Sequence, residues 1–243
     1  MLASSVALAQ RPTDADREIV DLASLVVASE RIEVYQYGME IHRSLLELAE
    51  RACQRLESLL GWPYDAASLG PRIRIYVADF PGPSHVWRGY GHRLDPRAIV
   101  FINQRAYAGA MRGNNATYIH ELAHLYTWRY ASHTLREGIA DYLALQILPG
   151  AAVGPHGGDR DASPIEARVV EYLGTTRPPP PQVLSDEKFR RMYYLASYRF
   201  VKYLVGRGGM ETFLKLYDSP DPEAEFAKLY GATRAELVAM ARM

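Results

Sequence analysis

Apolar and polar residues alternate through ERIEVYQYG, residues 30–38, where Ile32 and Val34 give way to Tyr35 and Tyr37. A period of two is that of a strand with one buried face. The period then changes. In MEIHRSLLELAERACQRLESLLG, residues 39–61, Ile41, Leu45, Leu48, Ala52, Leu56, Leu59 and Leu60 recur at helical spacing, and Gly61 and Pro63 mark the stop. RIRIYVAD, residues 72–79, and RAIVFINQ, residues 97–104, read as two more strands, with FPGPSHVWRGYGH between them as a loop rich in Pro and Gly. From residue 114 the pattern is helical. Asn114 or Asn115 is placed to cap a helix in NNATYIHELAHLYTWRY, and Thr134 to cap LREGIADYLALQIL, which Pro149-Gly150 ends. A glycine-rich loop over 150–163, a short helix over 165–173, a polyproline-like TTRPPPPQ, a long helix from residue 185 and shorter helices follow, the last capped by Thr233.

Strands and one helix therefore precede a mainly helical half. The expected fold is α+β. A tail with a helix over 1–29 leads into one domain over 30–243, with a mixed-sheet lobe over about 30–130 and a helical lobe over about 131–243. The helix after Asn115 is expected at their junction, where a cleft forms. The segment from 150 to 181 is expected to gate that cleft.

Composition narrows the function classes. Lys+Arg and Asp+Glu both number 28 in 243 residues, so the balance points to neither nucleic acid nor an anionic membrane. No stretch is apolar for long enough to span a bilayer. The single cysteine, Cys53, excludes an intrachain disulfide and falls in an apolar helical pattern, as a small buried hydrophobe does. Near the start, Ala7-Leu8-Ala9 before Gln10 is like the small-residue end of a secretory signal. The expectation from it is export to a periplasm or the exterior, with the cytoplasm as the alternative.

Within the helix after Asn115, His120, Glu121 and His124 form H-E-x-x-H. Residues four apart share a helix face, so both imidazoles can face one ion, and zinc accepts such ligands. Glu121 is rotated by one residue. It is placed to take a proton from a water that the ion activates. The alternative is an ordinary amphipathic helix with Ile119, Ala123 and Tyr126 in the core and both histidines on the solvated side.

A catalytic zinc takes three protein ligands and leaves a position open. Glu137, in TLREGIADYLAL, is the candidate third ligand, since a short turn returns that helix beside the first. Glu137 also fits a capping box with Thr134. Asp141, one turn further on, is placed to accept the outer ring N–H of a ligating histidine. His133 is a poorer ligand candidate than Glu137, and His42, His85, His92 and His156 read as surface or loop residues.

HELAH followed by LREGIADYLAL resembles the gluzincin metallopeptidases, the thermolysin and aminopeptidase clan, and above all its small peptidase-MA-like members. The resemblance implies a zincin-like fold, one Zn2+ held by His120, His124 and Glu137 (in an E-G-x-A context), and Asp141 as the partner of the first histidine. YYLASYRFVKYLVGRGG, residues 193–209, resembles the clan's downstream helix, whose tyrosine donates to the oxyanion. Its register matches Tyr194, with Tyr198 as the alternative. The likeness covers about residues 30–217 and implies that 97–104 forms the sheet edge along which a peptide adds. GAMRGN, residues 109–114, resembles the clan's exopeptidase motif but lacks its Glu, which favours an endopeptidase.

The expected activity is thus zinc-dependent hydrolysis of peptide bonds in a peptide or protein substrate, with Glu121 as general base, Tyr194 on the oxyanion and the peptide near Val100 to Asn103. The alternatives are a zinc-binding or scaffold protein whose site is closed to solvent, and a helical module without metal.

Overall fold

A computed structural model describes residues 13–87, 98–129, 132–153, 165–175, 177–217, 219 and 221–241. The chain is α+β, and its contacts divide it into two compact units: Met1–Tyr126 with Leu143–Gly154, and Thr127–Tyr142 with Pro155–Met243. Among the described residues no helix is long and apolar enough to cross a membrane.

The first unit is built on a mixed sheet of β1 (Ser24–Ala28), β2 (Ile32–Tyr37), β3 (Ile73–Ala78), β4 (His85–Trp87) and β5 (Ile99–Asn103). Their order is β1-β2-β3-β5-β4. β2, β3 and β5 are mutually parallel, and β1 and β4 are antiparallel to their neighbours. Parallel register aligns Val34, Ile75 and Val100, and aligns Tyr35, Tyr76 and Phe101 on the opposite face. The first set is at most 1% exposed. α2 (Ser44–Leu60) packs on β2, and α5 (Thr117–Tyr126) packs on α2, β4 and β5. The second face carries an aromatic row. Ring centroids are 4.7 Å apart for Tyr35–Tyr76, 5.7 Å for Tyr76–Phe101 and 4.8 Å for Phe101–His85. α1 (Asp14–Leu22) sets Ile19 into that face, and Asp16 Oδ1 lies 3.1 Å from His85 Nε2. α3 (Ala66–Leu69) and α4 (Gln104–Met111) complete the unit, apart from the end of the next helix.

Two expectations about the sheet are corrected. The strand over 97–104 is internal rather than the edge, because β4 pairs with it where a loop was read from Pro81, Gly82 and Pro83. A peptide cannot add along Val100 to Asn103: β3 and β4 flank these residues, and Ser84 Oγ accepts from the Asn103 N–H at 3.1 Å. β1 falls in the stretch read as tail, where a bulge between Leu25 and Val27 breaks the alternation.

The second unit is helical. α6 (His133–Ile147) gives it its first turns. α7 (Ala167–Leu173), α8 (Pro181–Leu184), α9 (Glu187–Leu214), α10 (Pro222–Tyr230) and α11 (Arg234–Met240) follow. α9 is the hub, with α7, α8 and α10 packed on it, and Gly209 at φ 80° breaks its helical course. The connector read as polyproline ends in α8, since Pro181 fits the first turn, where no N–H is required. Thr233 caps α11 in a reciprocal box with Glu236, as the sequence predicts. Residues 1–12 and 154–164 are outside the described residues, and with them the signal-like run and most of the glycine-rich loop in the 150–181 segment expected to gate the cleft.

Candidate metal centre

α5 is fixed at both ends. Asn115 Oδ1 accepts from the Thr117 N–H at 2.8 Å, which makes Asn115 the capping residue of the two considered. Ala116 and Ala152 tie the entry strand to the end of α6 through backbone bonds of 2.7 Å (Ala116 N–H to Ala152 O) and 2.9 Å (Ala152 N–H to Asn114 O). At the far end the Trp62 indole N–H donates to the Tyr126 carbonyl at 3.2 Å, and the Tyr126 hydroxyl meets Glu57 and Arg31. Burial pushes the Tyr126 hydroxyl well above the ordinary tyrosine range, with Cys53 and Glu57 adding to it, so it stays a neutral donor.

Every residue of α5 is buried. The alternative that places His120 and His124 on a solvated face therefore fails: each is 8% exposed. Their Nε2 atoms are 3.0 Å apart, and the rings meet edge to face at 87°. Two neutral imidazoles in that arrangement share at most one proton between the facing nitrogens. Two bare nitrogens sharing a tetrahedral ion at ordinary zinc–nitrogen lengths stand about 3.3 Å apart, so a small opening of the pair accommodates it. One ligand atom from each of His120, His124 and Glu137 lies within 4.8 Å of the others. Two imidazoles and a carboxylate make a donor set that suits zinc and other divalent first-row ions.

α6 is capped by Ser132, whose Oγ accepts from the Leu135 N–H at 3.4 Å, rather than by Thr134. Thr134 lies inside the helix, so the capping box with Glu137 does not form. The reason is that the Thr134 hydroxyl turns to the Tyr193 hydroxyl, 2.8 Å away. Glu137 is 7% exposed, and its Oε1 is 3.6 Å from both His133 Nε2 and Arg136 Nε. Asp141, one turn on, is 2% exposed. Glu121, beside His120, is 5% exposed.

On α9, Tyr194 is half-buried with its ring centroid 6.3 Å from that of His133. Tyr198 stands one turn further on, with the Lys202 ammonium 5.8 Å over its ring. GAMRGN forms the end of α4 and the turn after it, not an edge strand, so its likeness to the exopeptidase motif has no structural counterpart.

Sequence reading did not anticipate the contact of His133 with Glu137. The histidine lies four residues before Glu137 on one helix face, and that spacing is the signal that finds it. Burial lowers the His133 pKa against the pull of Glu137, with Arg136 adding to the lowering. Burial raises the Tyr193 hydroxyl to about 12. Both groups are neutral near pH 7.

No protein-family model matches the chain, and no curated protein matches it.

Proposed function

We propose that this chain is a zinc-dependent peptidase of gluzincin type with a zincin-like fold, and that it acts on internal peptide bonds. The observation that carries the reading is the convergence of His120, His124 and Glu137, each offering one ligand atom within 4.8 Å of the others, on helices that also carry Glu121 and Asp141. In this reading the two Nε2 atoms and one Glu137 oxygen hold the ion. When bound, zinc polarises a substrate carbonyl and acidifies water. Glu121 accepts the proton of the attacking water on its carboxylate and delivers it to the leaving amine nitrogen. The Tyr194 O–H donates to the carbonyl oxygen as it gains negative charge. Asp141 orients an imidazole through the outer ring N–H. The substrate strand adds along β4, the terminal strand of the sheet, on which α5 packs.

The test has two stages. Protein purified without chelators should carry one zinc per chain by elemental analysis, and it should cleave members of a peptide library. Glu121→Gln should keep the zinc and lose turnover by about 10²-fold or more. Absence of metal from the wild type, or full activity in that variant, overturns the proposal. One observation favours a metal-binding protein without turnover: His120, Glu121, His124 and Glu137 are all 5–8% exposed, which restricts access to the ion. Stoichiometric zinc with no cleavage across the library would establish that second reading.

A further inference from the structure

Beside the proposed ligand set, the second unit holds a chain of polar contacts that ends on Glu137. The Tyr193 hydroxyl is 2.8 Å from Thr134 Oγ1 and 3.3 Å from His133 Nδ1, and the other ring nitrogen of His133 faces Glu137 Oε1 at 3.6 Å. Tyr193 is fully buried, its ring stacked on Phe189 with planes 9° apart. Its hydroxyl therefore has a fixed position.

A phenol has one proton to give, so two orientations are possible. In one, Tyr193 donates to His133 Nδ1 and Thr134 donates to the Tyr193 oxygen. The imidazole then carries its proton on Nε2, pointing at the Glu137 carboxylate. In the other, His133 Nδ1–H donates to Tyr193 and Tyr193 to Thr134. That leaves a lone pair on Nε2 facing an anionic oxygen. The first is favoured, because charge–dipole attraction replaces repulsion at a buried site.

We propose that Thr134, Tyr193 and His133 form a positioning relay for Glu137. Tyr193 fixes the Nε2–H tautomer of His133, and that N–H holds the carboxylate in the orientation in which it binds the ion. The relay rests on the proposed metal reading, and it gives His133 a role that is neither ligand nor general base. At 3.6 Å the last contact is electrostatic rather than a full hydrogen bond, and a small tilt of the ring closes it.

The test is metal affinity, measured by competing the metal-free chain against a chromophoric chelator with zinc or cobalt. His133→Gln should weaken binding about tenfold or more, and Tyr193→Phe, which keeps the packing, by a smaller factor. Tyr230→Phe is the control, because it removes a buried hydroxyl that has no hydrogen-bond partner among the described residues, and should leave affinity unchanged. In the Glu137→Ala background His133→Gln should add nothing, since the relay acts only through Glu137. Additive losses there would show a direct ligand or a general packing effect and overturn the proposal. So would wild-type affinity in both single variants. Heteronuclear NMR of the imidazole nitrogens in the metal-free chain gives an independent readout. It should find His133 protonated on Nε2, and a shift toward the Nδ1–H form in Tyr193→Phe. A wild type that binds no metal would instead sink the metal reading itself, and the relay with it.

Discussion

Gly138 follows the proposed ligand Glu137 directly and lies within α6, where alanine is intrinsically the better residue by about 1 kcal/mol. On propensity alone Gly138→Ala stabilises the chain. The packing opposes this. A Cβ at 138 overlaps the Ser197 carbonyl oxygen of α9, and it lies 2.6 Å from Val201 Cγ2 and 2.8 Å from the Ser197 carbonyl carbon. Two of these neighbours are backbone, so they cannot rotate away, and ordinary carbon–carbon contact begins near about 3.5 Å. The two backbones must part by roughly 1 Å at this point to reach such a contact. Overpacking of this kind costs about 1–3 kcal/mol, and separation forfeits some of the surrounding dispersion.

The lost dispersion added to that cost tips the balance against the propensity gain, and the net expectation is a loss of up to about 2 kcal/mol. For a chain of this size that lowers Tm by up to about 8 °C, whereas propensity acting alone raises it by about 2–4 °C. Thermal unfolding followed by circular dichroism, with urea titration to verify an unchanged m-value, measures the difference. Because the sign is at stake, a rise in Tm refutes the close approach of α6 and α9 at this residue. Displacement of Gly138 also displaces Glu137, so the variant should bind metal more weakly than the wild type in the same chelator competition.

Three further outcomes are expected. Burial raises the Glu33 pKa, but hydrogen bonds from Arg72 and Tyr35 and the charge of Arg74 outweigh it, so the folded pKa lies below the unfolded one. This contribution is present at neutral pH and is lost as pH falls through the folded pKa, so Glu33→Gln should narrow the gap in urea stability between pH 7 and pH 3. An equal gap in both proteins would refute that. Cys53 is fully buried and its thiol is pushed up to about 11, chiefly by burial, so it should resist a thiol reagent at pH 8 and react once urea unfolds the chain. Native-state labelling as fast as that of the unfolded chain would contradict the burial. Chelation of a bound ion should lower Tm, since free metal at about 100 times its Kd stabilises the folded chain by about 2.7 kcal/mol, and zinc added back should restore it. No change in Tm on chelation would place the ion elsewhere than in the folded chain.

The parts legible in the sequence are those governed by local chemistry. The period of two in residues 30–38 and 72–79 gave β2 and β3. Gly61 ends α2 in the left-handed conformation expected of it, and Thr233 caps α11. H-E-x-x-H was legible because its spacing is a property of one helix. The misses are non-local or set by a competing partner. β4 has three residues, and it is a strand only because β5 offers a free edge there. Which strand lies at the edge depends on pairing order, to which the alternation within each strand is blind. Thr134 has the chemistry of a cap, but Tyr193, distant in sequence, claims its hydroxyl and Ser132 takes the cap.

Burial bears on why α5 and α6 carry these residues. Glu121, Glu137 and Asp141 are acidic side chains 2–7% exposed on two successive helices. Moving carboxylates out of water costs several kcal/mol each unless charge or hydrogen bonds compensate. Arg136 supplies one positive charge, 3.6 Å from Glu137. His133 supplies none while burial keeps it neutral. In the proposed reading a divalent cation held by His120, His124 and Glu137 would add two positive charges. Apolar residues of similar volume fill the same space without that desolvation cost. The proposed function gives Glu137 an ion to hold and Glu121 a substrate proton to move.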